Sequence, residues 1–348
     1  MHRKIATVSS LLAVAALVPA LHAQQFKVEK ADIGGTTGTD YVTADPANGR
    51  VYVSRQSMFQ IVDGATMKVV GEIPDSPRNH GVAVAPKHHH GFTTNAGDST
   101  STMFDTQDGK VIKKIHLGAT GADGIMYDDF TDKILTIHHA PKDQKGVMIV
   151  IDPKDGDVVG KVELSDDGPE GGVSDGKGHI YVNEEGSNSI DVVDAKTWKM
   201  TGSWKMEGCE GPTGIAMDRK SNRIFSGCSG SSAVVDASNG SVVAHIANGQ
   251  GVDALGYDDT QKLIYIPAGR PGNVTVVHED SPDKYTVVAT VETFPGAKTI
   301  AVDDKTHTAY LFQPERGPAP APAAGATPGR GRGPAGPVIH GWFIKITH

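Results

Sequence analysis

The sequence contains few of the motifs that mark common classes of enzyme. It has only two cysteines in 348 residues, and neither belongs to a Cys-x-x-Cys-His motif, which excludes covalently attached haem. A Gly-x-Ser-x-Gly motif and a glycine-rich phosphate loop are also absent. These absences argue against a covalent serine hydrolase and against a nucleotide-binding enzyme.

Long apolar runs are absent beyond the N-terminus. The one long run, Ile5–Leu21, follows Arg3 and Lys4 and is typical of an export signal. We therefore predict a signal peptide over residues 1–23 and a periplasmic or secreted mature protein. No later stretch approaches the roughly 18 apolar residues of a membrane span, so no span is expected in the mature chain. Retention of the N-terminal run as an anchor is the less favoured alternative.

Positive charge is scarce in this chain. The 33 Lys and Arg residues against 41 Asp and Glu residues give a formal net charge of −8, and removal of Arg3 and Lys4 with the signal peptide brings it to about −10. A charge of this sign repels a polyanion. Nucleic acid is therefore not an expected partner.

The sequence does contain an internal repeat. Five segments resembling VVDxxTxKVVGxI carry a marker aspartate, and the steps between markers are 42, 47, 42 and 42 residues. The markers are Asp63, Asp105, Asp152, Asp194 and Asp236. His278 stands 42 residues beyond the last marker and takes the sixth position. A second segment, of which DYVTADPANGRVYV is the first example, occurs seven times.

The repeat predicts an all-β fold. Each unit of roughly 40–45 residues holds four short apolar runs around polar turns, which is the pattern of a four-stranded antiparallel propeller blade. We therefore predict a seven-bladed β-propeller, forming a single domain over residues 24–348. The seventh unit lacks a fourth strand, and Phe26–Ile33 resembles one. We expect this N-terminal strand to join the last blade and close the ring.

One segment interrupts the repeat. Residues 315–337 read ERGPAPAPAAGATPGRGRGPAGP and contain nothing that can pack a core. We predict a disordered insertion between the second and third strands of the last blade. A tolerated loop insertion is the simplest interpretation, and a partner-binding segment or a lid is the alternative.

Several motifs identify a family resemblance. Tyr41-Val42-Thr43, the x-V-V-D marker and the segments GRVYVS and GHIYVN are similar to those of YncE-like proteins, the YVTN-repeat family of β-propellers. Seven-bladed lactonase-like propellers are relatives of this family. The resemblance extends from about Gln25 to His348 and implies the propeller fold. It does not imply a reaction, because these motifs build blades. DNA binding attributed to some family members is not expected of so acidic a chain.

The propeller geometry predicts a shared channel mouth. The inner strand of each blade begins there, and the loop after the second strand opens on the same face. The predicted inner-strand starts are Asp40, His80, Asp123, Glu170, Thr213, Asp253 and Lys298. The predicted ends of the second strands are Arg55, Asn95, His138, Glu184, Cys228, Arg270 and Gln313. We expect the charged, histidine and asparagine residues of both sets to line one ligand-binding funnel.

Four residues of this funnel are candidate metal ligands: His80, Asp123, His138 and Glu170. Carboxylate and imidazole donors suit Ca²⁺, Mg²⁺, Mn²⁺ or Zn²⁺, and crowding is expected to raise at least one carboxyl pKa. The alternative is a merely polar rim, since propeller mouths are solvated. By strand alternation, only one of His138 and His139 points inward. The run His88–His90 lies in a turn on the opposite face, where we expect it to be solvated.

The two cysteines lie close together in the predicted fifth blade. Cys209 is in the connection entering the blade, and Cys228 ends its second strand. In an exported protein this placement favours a disulfide. A soft-metal pair is the alternative, with copper as its natural ion because Met206 is nearby.

The sequence supports three functional hypotheses. The first is an exported binding or scaffold protein, monomeric, that takes a small ligand, a metal or a protein partner at the channel mouth. The second is a metal-dependent enzyme of the lactonase or lyase type, in which a cation polarises a carbonyl or activates water. The third is an envelope-assembly module that uses the blade edges and the Pro/Gly-rich insertion. No catalytic residue is identified by any motif.

Overall fold

The computed structural model describes residues 25–318 and 336–348, which form 28 β-strands and no helix. The first strand is β1 (Lys27–Asp32). Blade one contains β2 (Val42–Asp45), β3 (Arg50–Ser54), β4 (Phe59–Asp63) and β5 (Lys68–Ile73). Blade two contains β6 (Asn79–Ala85), β7 (His90–Asn95), β8 (Thr100–Asp105) and β9 (Val111–His116). Blade three contains β10 (Ala122–Asp128), β11 (Lys133–His138), β12 (Val147–Ile151) and β13 (Val158–Glu163).

The remaining four blades follow in the same order. Blade four contains β14 (Pro169–Ser174), β15 (His179–Glu184), β16 (Ser189–Asp194) and β17 (Lys199–Lys205). Blade five contains β18 (Ile215–Asp218), β19 (Arg223–Ser226), β20 (Ser231–Asp236) and β21 (Val242–Ala247). Blade six contains β22 (Gly256–Asp258), β23 (Leu263–Ala268), β24 (Asn273–Ser281) and β25 (Lys284–Glu292). Blade seven contains β26 (Ala301–Asp303), β27 (Thr308–Arg316), β28 (Val338–Thr347) and β1.

These strands form seven antiparallel sheets of four strands each. Neighbouring inner strands contact one another all round the ring, including the first and last, β2 and β26. The predicted fold, a seven-bladed β-propeller, is confirmed. The predicted closure is also confirmed, because β1 pairs antiparallel with β28 over six residue pairs, from Lys27↔Thr347 to Asp32↔Trp342.

The apolar core lies between the blades. One cluster joins Phe92 and Met103 of blade two to Ile134 and Ile149 of blade three, all almost fully buried. Equivalent clusters join the other neighbouring blades, including Tyr310 and Phe343 of blade seven with Val51 of blade one. Burial of these side chains stabilises the ring as a whole, because each sheet buries its faces only against its neighbours.

The predicted insertion differs at its edges from what the structure shows. Glu315 and Arg316, which we assigned to the disordered segment, continue β27 and pair with His340 and Val338 of β28. β27 and β28 therefore remain paired for two residues more than the repeat pattern suggests. Residues 319–335 lie outside the described residues, as does the predicted signal peptide over residues 1–23.

The histidine run lies at the β6–β7 turn. His88 and His90 contact blade three, through hydrogen bonds with the Asp132 carboxylate at 2.9 Å and the Pro153 carbonyl at 2.8 Å, and His89 is exposed. The three side chains therefore have separate surroundings. Within the described residues, no helix is long and apolar enough to cross a membrane.

Candidate metal centre

Bulges at the start of three inner strands aim polar side chains at the channel. The strand registers shift between Asn79 and Val82, between Ala122 and Ile125, and between Pro169 and Gly172. His80, Asp123 and Glu170 lie in these three bulges. A bulge adds one residue to a strand and re-aims the local side chain. Blades two, three and four therefore each direct one ligand-type side chain to the mouth.

A glycine follows each of these three residues, and close packing requires it. A Cβ built on Gly124 would lie 2.5 Å from the carbonyl oxygen of Glu170, and one on Gly171 would lie 2.8 Å from that of Thr213. Neighbouring inner strands approach too closely there for any larger residue. These glycines allow the polar residues of adjacent blades to converge.

One half of the cluster contains Asp40, His80 and Asp123. His80 Nδ1 lies 2.5 Å from Asp40 Oδ2, a short hydrogen bond, and 3.4 Å from Asp123 Oδ1. Donor atoms from all three residues lie within 4.8 Å of one another, which is a spacing that can hold a metal ion. These side chains come from blades one, two and three.

The other half contains Asp123, His139 and Glu170. His139 Nε2 lies 3.5 Å from Asp123 Oδ2 and 3.4 Å from Glu170 Oε1. These three residues also offer donor atoms within 4.8 Å of one another. Glu170 is nine-tenths buried, with a side chain 10% exposed. Asp123 is common to both halves.

Lys298 and Asp253 complete the ring on the side of blades six and seven. Lys298 Nζ forms an ion pair with Asp253 Oδ2 and lies 3.6 Å from Asp40 Oδ1. The lysine therefore neutralises Asp253 and positions Asp40. Tyr41 lies in the channel among glycines 81, 124, 171 and 214, which line a cavity of about 160 Å³. Burial and the negative charge of Asp123 raise the pKa of this phenol well above its usual range.

Burial and crowding shift the carboxyl groups of the mouth. Burial, with the charge of Asp123, raises the pKa of Glu170 to about 9. Burial also raises the pKa of Asp123 itself. Burial would raise the pKa of Asp40 too, but the hydrogen bond from His80 and the charge of Lys298 outweigh it and lower that pKa. The raised pKa values of Glu170 and Asp123 agree with the expectation that crowding raises at least one carboxyl pKa.

The predicted ligand His138 does not face the mouth, and its neighbour does. His138 is fully buried, with Nε2 2.8 Å from the Thr136 hydroxyl and Nδ1 3.1 Å from the Thr120 carbonyl oxygen. Burial lowers its pKa to about 4, so the ring is neutral and Nδ1 donates to the carbonyl. His139 lies one residue beyond β11 and reaches Asp123 and Glu170. The structure therefore places His139, and not the predicted His138, beside Asp123 and Glu170.

Three other predicted funnel residues are also buried in the sheets. Arg55 donates to the carbonyl oxygens of Gly34 and Thr37, and its guanidinium lies 4.6 Å from the Phe312 ring centre. It therefore holds the N-terminal segment and does not line the funnel. The same reason applies to His138. The second strand of a blade lies further from the axis than the inner strand, so the side chain at its end is buried within the blades and does not reach the channel.

Asn95 and Glu184 have the same kind of position. Asn95 Nδ2 donates to the hydroxyls of Thr100 and Thr102, at 3.1 and 3.0 Å. Glu184 is fully buried, and neither carboxyl oxygen has a hydrogen-bond partner among the described residues. Arg270, in contrast, is exposed on the rim. Of the predicted second-strand residues, Arg270 is exposed, Gln313 is half-buried and the other five are buried.

The cysteines and the threonine of blade five have structural positions. Cys209 and Cys228 form a disulfide, with Cα atoms 5.4 Å apart, and both are buried. Thr213 Oγ1 donates to the carbonyl oxygen of Val252 in the next blade at 3.0 Å. Blade five therefore contributes no side chain to either of the two groups of possible metal ligands.

The predicted end of β11, His138, agrees with the structure, and the candidate ligand that sequence reasoning missed is the next residue, His139. His139 directly follows β11 and reaches Asp123 and Glu170, and Glu185 directly follows β15, where its charge helps to raise the pKa of Glu170. The doubled histidine His138-His139 was the available signal, because alternation requires the two rings to face opposite ways.

Comparison with solved structures shows the same fold. Kuenenia stuttgartiensis hydrazine synthase is 18% identical with a TM-score of 0.70, covering 80% of this chain and 93% of that chain. The WD40 repeats of RRP9 are 10% identical with a TM-score of 0.72, covering 92% and 97%. The β-propeller domain of Myceliophteria thermophila Cps50 (Swd1) is 11% identical with a TM-score of 0.63, covering 80% and 95%.

These similarities establish the fold. They say nothing about a functional site, because the identities are too low. No protein-family model matches the sequence, and no curated protein matches it. What the comparisons support is a seven-bladed β-propeller.

Proposed function

We propose that this chain is an exported, YncE-like binding propeller that holds a divalent transition-metal ion at its channel mouth, with Asp123, His139 and Glu170 as ligands. The observation that carries the proposal is the spacing of His139 Nε2 from the two carboxylates, 3.5 and 3.4 Å.

This spacing is what a tetrahedral ion requires. Metal–nitrogen and metal–oxygen bonds of about 2.0–2.2 Å place neighbouring ligand atoms roughly 3.4 Å apart. Hydrogen bonds from nitrogen to oxygen are shorter, about 2.9 Å. The His139 contacts therefore fit a shared ion better than they fit a direct hydrogen bond.

An unsatisfied atom supports the same interpretation. Among the described residues, His139 Nε2 is buried without a hydrogen-bond partner. A buried polar atom of this kind calls for an explanation, and an ion held with the neighbouring carboxylates supplies one.

The donor set favours some ions over others. Two carboxylates and an imidazole suit Zn²⁺ and Mn²⁺, whereas Ca²⁺ takes six to eight oxygen ligands and Mg²⁺ retains several waters. Cu(I), which prefers sulfur ligands, is less favoured, because the sulfur atoms of Cys209 and Cys228 are joined as a disulfide. We therefore expect Zn²⁺ to bind most tightly among the common divalent ions other than copper.

The test is calorimetric titration of chelator-treated protein with Zn²⁺, accompanied by thermal melts. We expect saturable binding that raises the melting temperature, and a loss of roughly 100-fold or more in affinity for His139→Ala and Glu170→Gln. His179→Ala is the matched control. His179 Nδ1 pairs with the Asp175 carboxylate at 2.8 Å, and neither residue belongs to the cluster. Absence of heat and of any thermal shift with Zn²⁺ and Mn²⁺ would overturn the proposal.

Export is the second element of the proposal, and its support is the N-terminal sequence. Arg3, Lys4 and the apolar run that follows have the composition of a signal peptide. Expression of the full chain in a bacterium, followed by fractionation and mass measurement, tests it. A mature protein that begins at Gln24 in the periplasm is expected, and an unprocessed chain in the cytoplasm is the contrary outcome.

A metal-dependent lactonase or lyase is a second candidate function. The observation in its favour is that three protein ligands leave at least one coordination position for water or substrate at an open mouth, as in catalytic zinc sites. The zinc-loaded protein should then open a panel of lactones at a rate that falls with Glu170→Gln. Metal binding without turnover on that panel would contradict the enzymatic function, and metal binding would remain as the proposed function.

A further inference from the structure

We infer that the mouth binds two metal ions, bridged by the Asp123 carboxylate. This inference rests on the proposed metal binding and adds a second site to it, formed by Asp40, His80 and Asp123. The two groups of possible ligands share Asp123 and no other residue.

The orientation of Asp123 is the first support. Its Oδ1 lies 3.4 Å from His80 Nδ1, and its Oδ2 lies 3.5 Å from His139 Nε2. The two oxygens of one carboxylate therefore face two different imidazoles. A carboxylate that bridges two ions presents one oxygen to each, and ions in such sites lie about 3.5–4 Å apart.

Each imidazole also has its own second carboxylate. Asp40 lies beside His80, and Glu170 lies beside His139. The result is two matching sets, each with one histidine and one private carboxylate, on either side of Asp123. Three ligands per ion is the number found in sites that keep a position open.

Lys298 positions the private carboxylate of the second site. Its Nζ lies 3.6 Å from Asp40 Oδ1, while Asp40 Oδ2 faces His80. One oxygen of Asp40 is thus held by the lysine and the other is directed at the proposed ion. Contacts of this kind orient ligands in established metal sites.

The charge of the cluster calls for more than one divalent ion. Four carboxylates, those of Asp40, Asp123, Glu170 and Asp253, surround a single lysine, Lys298. When all four carboxylates are ionised and both histidines are neutral, as metal binding requires, three negative charges are uncompensated, and one divalent ion neutralises only two of them. A second ion removes the remaining repulsion between groups that are largely withdrawn from water.

The two sites differ in how far they are formed. The His139 contacts already have the spacing of a coordination sphere, whereas His80 and Asp40 are joined by a direct hydrogen bond of 2.5 Å. That bond must open before an ion enters. The site with His139 therefore fills first, and the site with His80 fills second and more weakly.

Stoichiometry tests the inference. Native mass spectrometry of the mature chain titrated with Zn²⁺ should show one ion and then two. His80→Ala and His139→Ala should each stop at one, and the control His179→Ala should reach two. Thermal melts of each variant confirm that it is folded. The electron paramagnetic resonance spectrum of the Mn²⁺-loaded protein should show a coupled pair, which Asp123→Ala abolishes.

Failure of this inference is distinguishable from failure of the proposed function. A wild-type maximum of one ion, or a His80→Ala variant that still takes two, would disprove the bridged pair and leave the single site with His139 intact. Absence of any bound ion would disprove both.

Discussion

Thr299 donates a hydrogen bond of 2.6 Å from its hydroxyl to the backbone carbonyl oxygen of Asp40, across 259 residues of sequence. This bond joins the inner strands of the last and first blades at the point where the ring closes. It also fixes the backbone of a residue in the proposed second metal site.

Replacement of Thr299 by valine should therefore affect both stability and ion binding. Loss of the hydroxyl leaves a part-buried carbonyl unpaired and should lower the free energy of unfolding by about 1 kcal/mol. Thr43→Val is the matched control, because Thr43 makes the same kind of bond to the Val82 carbonyl at 2.9 Å. Urea unfolding should show similar losses for the two variants. Only Thr299→Val should weaken the second ion, and an equal effect of both on the ion would contradict this role of Thr299.

Arg55 should prove structural, although its sequence position suggested a ligand-binding role. Arg55→Met leaves the carbonyl oxygens of Gly34 and Thr37 without their buried donor and should cost about 3 kcal/mol of unfolding free energy. Zn²⁺ affinity should not change. The exposed Arg270→Met is the control, with a stability change within about 0.5 kcal/mol. Loss of Zn²⁺ affinity in the folded Arg55→Met variant would contradict this assignment.

Glu184 makes stability depend on pH. Burial and the charge of Asp191 raise its pKa to about 9, above the ordinary value of 4.5. Because the pKa is higher in the folded state than in the unfolded state, protonation of Glu184 stabilises the fold. This contribution is complete below about pH 4.5 and is lost as the pH rises towards 9. At pH 7 the buried carboxyl therefore costs up to about 3 kcal/mol.

Glu184→Gln removes this dependence, since the amide stays neutral at every pH. Urea unfolding should show the variant more stable than the wild type at pH 7, by up to about 3 kcal/mol, and nearly equal to it at pH 4.5. Glu170 titrates in both proteins, so the difference between them isolates Glu184. A stability difference that is the same at both pH values would show that Glu184 is not the group responsible.

The disulfide should contribute substantially to stability. Cys209 and Cys228 are 19 residues apart in sequence, and a cross-link over such a loop is worth about 3 kcal/mol. The double variant Cys209→Ser, Cys228→Ser should lose that amount in urea unfolding, and a reductant should destabilise only the wild type. Titration of two free thiols in the denatured, unreduced wild type would contradict the cross-link.

The sequence predicted the mouth only in part, because strand position is easier to predict than side-chain direction. His80, Asp123 and Glu170 were found from the start of the repeat unit, where bulges aim them inward. Arg55, Asn95, His138 and Glu184 occupy an equally regular position in the repeat and are buried instead. A repeat shows that positions are equivalent. It does not show which layer of the sheet each side chain enters.

The sequence by itself determined the number of blades, the strand pattern within each and the N-terminal strand that completes the last one. Those features are local and periodic, so they are visible in the order of apolar and turn residues. Only the tertiary structure decided that His139, and not His138, meets Glu170 and Asp123. That choice depends on where a strand ends and how closely neighbouring blades approach, which involves residues far apart in the chain.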